Sequence, residues 1–472
     1  LRVSSSEAIV RGLAPKSGLF VPESFPQADL EGWKSLSYPA LAEQVLKGFL
    51  TDYSADFLHS ATAATYGEAF GGKAGETVKV SDGVYALELW HGPTCAFKDY
   101  ALQLMPKLLV EAKKNLGRTE ITRILVATSG DTGKAALAGY ADLDGIEIEV
   151  FYPNAGTSEI QHLQMATQKG ENVQVYAVEG NFDDAQTGVK RVFADDTVAA
   201  ELEARHIRLS SANSINWGRL VPQIVYYFYA YFRLAEQGAV EWGKPVDFCV
   251  PTGNFGDILA GYYAKQMGLP VGKLICASNK NNVLTDFIKT GTYDARRTFY
   301  KTTSPSMDIL ISSNLERLLL HTSGSAEKVE GWMQELAATG KYTVDADTLA
   351  KIQANFAAGY ADDAAGAAEI RARFERDGYL CDTHTAVAFH VAEANRSTAP
   401  MVVLSTASPF KFPRDVLAAL GETAPESDFA AMAALTAKTG AAAPASLREL
   451  DKLPVRFNTV IQPGEIRAAA LR

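Results

Sequence analysis

A chain of 472 residues, 47% hydrophobic and 21% charged, has ordinary globular composition and length enough for two or three domains around a large core. Its formal net charge of -10 argues against a nucleic-acid surface, which needs a basic face, but leaves local anion sites open. The four cysteines form no C-x-x-C pair, and two sit in the apolar runs DFCV and LICA, so buried thiols in a reducing cytoplasm are expected rather than disulfides or a metal site. The start LRVSSSEAIVRG lacks the apolar core of a signal peptide. The most apolar stretch, Ile215 to Phe232, is interrupted by Asn216, Arg219 and Gln223, which predicts a buried helix and no membrane span.

In chain order, the segment before Val84 shows turn signals and helical periodicity without strand–helix alternation, and is read as an N-terminal domain of residues 1–90. From Val84 onward, apolar strand runs alternate with helix-length segments: VYALELW, ITRILVA, IEIEVFYP, VQVYAVEG, HIRLSS, PVDFCVPT, KLICASN and MVVLST. Strands that are apolar almost throughout and spaced by helices predict an α/β fold of parallel sheets covered on both faces. Residues 91–235 are read as a smaller α/β domain and 236–472 as a larger one, with a mainly helical insertion over about 303–380. The Ala-rich run from residue 427 predicts a helix ending at Gly440.

Ligands of open α/β sheets bind beyond the carboxyl ends of the strands, so the residues just past each strand matter most. After VYALELW comes HGPTCAFKDYALQ, which sets Lys98 at a helix start, where partial burial would make its amine nucleophilic. A solvated helix lysine fits the same position. After ITRILVA comes TSGDTGKAA, a turn able to aim amides at an anion. It is not a nucleotide P-loop, because Thr128 and Ala135 stand where Gly and Ser or Thr are required. After PVDFCVPT comes GNFGDILAGYYA, a glycine loop that suits a phosphate monoester or a plain tight turn. MVVLST ends in hydroxyls, with Lys411 following. In NSINWGRLVPQ, Asn213 or Ser214 is the expected helix cap. His91 is expected only to shape its turn, Asp99 only to favour its first helical turn, and Asp382 or Thr383 to cap the helix holding His384. A lysine, a glycine loop, an anion turn and a strand-end hydroxyl together suit pyridoxal phosphate.

Eight segments carry a resemblance: GLAPKSGLFVPE, HGPTCAFKDYALQ, ATSGDTGKAA, NSINWGRLVPQ, PTGNFGDILAGYYAKQMGLP, SPSMDILISSNLER, DTHTAVA and STASPFKF. In this order they resemble the threonine synthases, within the tryptophan-synthase-β family of fold-type II pyridoxal-phosphate enzymes. The resemblance implies pyridoxal 5'-phosphate as cofactor. It also implies conversion of O-phospho-L-homoserine and water to L-threonine and phosphate, with a phospholyase or dehydratase of the same fold as the alternative. By the same resemblance Lys98 carries the cofactor and serves as the catalytic base. Gly253, Asn254, Phe255 and Gly256 hold its phosphate, Thr406 meets its pyridine nitrogen, and Asp131 lies by the ring oxygen. Ser129 and Thr132 belong near the substrate carboxylate, and Arg219, with Asn154, Ser158 and Lys411, near the substrate phosphate. No metal, nucleic-acid or membrane partner is implied, and monomer and homodimer both stay open. The chain departs from the pattern at Lys134, Asp257 and Ser408, where Ser, Asn and His are usual; Lys134 is expected to point to solvent.

Overall fold

Two sheets position everything that follows. The computed structural model describes residues 1–14, 18–154 and 157–472, so the centre of the segment GLAPKSGLFVPE lies outside the described residues. The strands are β1 (Glu76–Ser81), β2 (Val84–Glu88), β3 (Ile121–Ala127), β4 (Ile146–Pro153), β5 (Val173–Val178), β6 (Ile207–Ser210) and β7 (Val246–Pro251). They continue as β8 (Val271–Ser278), β9 (Thr292–Asp294), β10 (Lys341–Thr343), β11 (Phe356–Tyr360), β12 (Met401–Ser405) and β13 (Val460–Ile461). The larger sheet has the order β1-β2-β12-β7-β8-β11, parallel except for the β1–β2 hairpin. The smaller has the order β13-β5-β4-β3-β6 and is parallel throughout. Every residue of β2, β7 and β12 is buried, as a sheet covered by helices on both faces requires.

Several elements depart from the sequence reading. Residues 303–380 do contain four helices, but β11 (FAAGY) breaks them and pairs with β8 as an edge strand. Its alanines and Gly359 look helical or neutral in sequence; a Cβ at 359 would lie 2.8 Å from the Val391 side chain, so close packing asks for glycine there. β9 and β10 form a separate antiparallel pair, with β10 inside the same segment. β1 and β2, expected in an N-terminal domain, join the larger sheet, while β13 crosses back to the smaller one. Such pairings are long-range, and local periodicity cannot carry them. The Ala-rich helix runs Asp428–Thr439 with Gly440 left-handed at φ 73, as expected.

The apolar stretch around residue 220 is a turn and a helix in the core. Asn216, rather than Asn213 or Ser214, caps the turn Trp217–Leu220 by accepting from the Gly218 amide at 2.8 Å, and its own amide donates to Ile9 O. Helix Ile224–Glu236 then buries Tyr226, Tyr227, Phe228 and Tyr231. N-terminal helices close over the short helix Asp99–Leu102. The Tyr66 hydroxyl donates to Tyr100 O at 2.5 Å, and the Tyr100 hydroxyl accepts from the Gly75 amide at 2.7 Å. No described helix is long and apolar enough to cross a membrane.

Helix Asp131–Tyr140, which presents Asp131, is pressed onto the Asp99–Leu102 turn at Gly139. A Cβ there would lie 1.9 Å from Leu102 O, a backbone atom that cannot step aside cheaply. G139A should therefore destabilise the fold by about 1–3 kcal/mol or more, read as a lowered urea midpoint; an unchanged midpoint would contradict the packing.

Candidate active site

Lys98 stands at the N-terminal end of the Asp99–Leu102 helix, after the loop that leaves β2. The fully buried Asp99 fastens that loop. Its carboxylate accepts from the Thr94 amide at 2.8 Å, the Thr94 hydroxyl at 2.7 Å and Gln103 Nε2 at 3.0 Å. Its part is thus larger than the helix-start preference expected of it. His91 does shape the turn, with Nε2 2.7 Å from Glu88 Oε2.

The Lys98 amine is enclosed. It donates to Ser306 Oγ at 3.4 Å and lies 4.0 Å from Asp131 Oδ2. Burial lowers its pKa; Asp131 opposes this, while Lys411 and Arg219 lower it further. Asp131, at the first position of its helix, also meets Lys411 Nζ at 2.6 Å and accepts from Gln161 Nε2 at 3.1 Å. Burial pushes its carboxyl upward, but Lys411 and Lys98 prevail and hold it well below the usual carboxylate range.

Two clusters of backbone donors face this region. At the β3 turn, Thr128 Oγ1 accepts from the Gly130 and Gly133 amides at 3.0 Å each. The Ser129, Asp131 and Thr132 amides have no acceptor among the described residues. At the β7 turn, Ser312 Oγ donates to Gly253 O at 2.8 Å and Asn314 Nδ2 to Asn254 O at 3.0 Å. Those bonds tie the carbonyls back, and the amides from Gly253 to Gly256 have no acceptor among the described residues, at the start of helix Gly256–Gln266. Phe255 is left-handed at φ 67, and a Cβ on Gly253 would lie 2.7 Å from Ser306 O. The glycine loop, Ser306 and Lys98 are therefore neighbours.

Thr406 follows β12; its carbonyl accepts from the Phe97 amide at 2.8 Å, next to Lys98. Arg219 is buried, donates from Nη1 to Ala212 O at 2.5 Å, and has no partner for its Nε among the described residues. Burial brings it down to about 10, partly offset by Tyr140. The other expected phosphate residues are engaged elsewhere. Asn154 is exposed and donates to Glu179 at 2.8 Å, Ser158 caps helix Glu159–Ala166 with Gln161, and Lys411 is taken up by Asp131 and Thr94 O. Lys134 does not point to solvent: its amine donates to Gln168 Oε1 at 2.6 Å, and burial brings its pKa down to about 8. Ser408 caps a short turn by accepting from the Phe410 amide at 3.3 Å. Ser306, Gln161 and His384, none of them picked out as site residues from the sequence, all connect directly to the site. SPSMD and DTHTAVA were the signals for two of them; Gln161 had none.

Asp257 is buried at the start of its helix. Burial pushes its carboxyl up to about 7 against the pull of the Ile258 amide and Lys98. The unfolded group ionises near its ordinary 3.8, so between that pH and about 7 the folded state holds the extra proton. Stability then falls as pH rises through this window and stays lost above it. D257N should remove that loss. For the ligand-free chain, its stability gain over the parent at pH 8 should be at most on the order of 4 kcal/mol and shrink toward zero near pH 4. A pH-independent difference in denaturation midpoint would refute this.

Comparison with known proteins identifies the family and the fold. Residues 73–406 match the family described as "Pyridoxal-phosphate dependent enzyme", residues 1–66 "Threonine synthase N terminus" and residues 385–468 "Threonine synthase, C-terminal". Human "Threonine synthase-like 1" is 42% identical over 88% of this chain; the match spans 58% of that protein, so the chain covers little more than half of it. "Threonine synthase" of Pseudomonas aeruginosa is 40% identical over 87% of this chain and 86% of its own length. The structure of PLP-bound threonine synthase from Brucella melitensis superposes with a TM-score of 0.90 at 38% identity, covering 99% of this chain and 96% of that one. With a catalytic-domain match over most of its length and relatives of this identity, the chain belongs to the threonine synthase family of pyridoxal-phosphate-dependent enzymes.

Proposed function

We propose that this protein converts O-phospho-L-homoserine and water to L-threonine and inorganic phosphate, with pyridoxal phosphate held at Lys98. The observation that carries the reading is the enclosed Lys98 amine, set between Asp131 and Ser306 and close to the Gly253–Gly256 amides, which have no acceptor among the described residues. These residues fit the cofactor: a primary amine for its aldehyde, and for its phosphate a turn of backbone amides that Gly253 lets pack against the Ser306 carbonyl. Gly253, Asn254, Phe255 and Gly256 would hold the phosphate, and Thr406 and Asp131 the ring. Four buried, free cysteines support a reducing, cytoplasmic setting. The two sheets would be the cores of the smaller and larger domains, divided near residues 90 and 235.

Bound pyridoxal phosphate supplies an electron sink that acidifies hydrogens on the substrate carbons beside its amino group. Lys98 would take the proton at the substrate Cα, and burial favours its neutral form, which a base needs. Asp131 stays ionised throughout and keeps opposing charge beside that amine. Thr406 offers a neutral hydroxyl in place of a carboxylate, so no protein charge enforces ring protonation. Ser129 and Thr132 present the turn for the substrate carboxylate. Arg219, whose Nε has no partner among the described residues, grips the departing phosphate.

Phosphate and threonine are to be followed together after O-phospho-L-homoserine is added to cofactor-loaded protein, and equal release is expected. Phosphate with a keto acid would move the chain to the phospholyase reading. K98A should lose both turnover and the visible band of bound cofactor; a yellow, active variant would refute Lys98. R219A should raise KM at least ~10-fold, as expected for losing a charged contact, with cofactor affinity unchanged. Loss of the cofactor instead would move Arg219 to the wrong ligand.

A further inference from the structure

Asp382 is fully buried at the start of helix Thr383–Ala394, and both of its oxygens are used. Oδ2 accepts from the His384 amide at 3.0 Å and lies 2.7 Å from His384 Nδ1. Oδ1 accepts from the Thr385 amide at 3.1 Å and from the Thr385 hydroxyl. Each arm leads into the site. The Ser306 amide donates to His384 Nε2 at 3.1 Å, and Ser306 Oγ accepts from Lys98. On the other side, the Thr406 amide donates to Thr385 Oγ1 at 3.3 Å.

An amide N–H can only donate, so Nε2 is the bare nitrogen of His384 and its proton sits on Nδ1, facing Asp382. Capping the helix needs only the two amide contacts of Asp382. The imidazole bond and its extension to Ser306 add nothing to a cap, yet they reach the neighbour of Lys98. Ser306 is held from a second side as well, because its carbonyl occupies the space that Gly253 leaves free.

We propose that Asp382 and His384 are positioning residues. Asp382 locks the Nδ1–H form of His384, which holds Ser306 against Lys98, and through Thr385 it also holds Thr406. The proposal rests on the reading of Lys98 and Thr406 as cofactor-holding residues. Glutamine can place a carbonyl where Nε2 stands, whereas asparagine reaches only the Nδ1 position. H384Q should therefore keep most of the activity and H384N should lose about 100-fold in kcat/KM, as for a misplaced reacting group. The visible circular dichroism of the bound cofactor should change in H384N and not in H384Q. D382N presents an amide to Nδ1, so nitrogen-15 NMR should show the proton moving from Nδ1 in the parent holoenzyme to Nε2.

A proton already on Nε2 in the parent, or H384Q and H384N indistinguishable in both rate and dichroism, overturns the proposal. Should D382N fail to fold, the parent tautomer and the two His384 variants decide it, with melting temperatures showing that both are folded. If the product is a keto acid, the function proposed above fails while tautomer and dichroism still test the positioning. If the purified chain binds no cofactor, the Lys98 assignment fails and this inference falls with it.

Discussion

Lys411 is wholly buried, and what makes that tolerable is Asp131, whose Oδ1 lies 2.6 Å from its amine. Removing one partner of such a pair leaves an uncompensated buried charge, at a cost of about 3–5 kcal/mol. The carboxylate is fixed by more than this ion pair. It begins a helix, where the dipole favours negative charge, and it receives Gln161 from a second helix and the field of Lys98 from a third. Asp131 follows β3 in the smaller sheet, whereas Lys98 and Lys411 follow β2 and β12 in the larger. The same charge group that surrounds the Lys98 amine therefore also ties the two sheets together.

The balance of that group bears on how a chain of net charge -10 could hold the proposed anionic ligands. Lys98, Lys134, Lys411 and Arg219 stand against Asp131, Asp99 and Asp257; burial pushes the last two carboxyls toward their neutral forms, and it also lowers the pKa of Lys98, Lys134 and Arg219. Two helix N-termini add further partial positive charge. An anionic ligand would raise the lysine pKa values again, and the positive surplus so restored favours phosphate-bearing molecules over neutral ones of the same shape. Lys134 contributes to the surplus through its field, since its amine is held by Gln168.

Much of this was legible in the sequence because the chemistry follows strands whose apolar runs are unmistakable. The Gly253–Gly256 loop, Ser129–Thr132 and Thr406 all lie within a few residues of a strand end, and Lys98 sits at the first helix after β2. What could not be read is whatever depends on a side chain meeting a partner far along the chain. Lys134 looked like an exposed helix lysine until Gln168 was found 2.6 Å away. Asn154, Ser158 and Lys411 are polar residues at suitable positions, yet each spends its hydrogen bonds on the protein itself. β11 and β13 were invisible because short edge strands take their identity from the neighbour they pair with, not from their own pattern.

The residues missed near Lys98 share a property that bears on how the site is built. Ser306 and His384 touch the Lys98 amine or its neighbour, and each is positioned by groups that never approach the amine. Lys98 itself has one hydroxyl contact at 3.4 Å and one carboxylate at 4.0 Å, neither a tight bond. A loosely held amine can be exchanged between partners, provided that the partners themselves do not move. The buried, hydrogen-bonded carboxylates of Asp382, Asp99 and Asp131 supply that fixity, leaving the freedom at the amine to which we assign the cofactor.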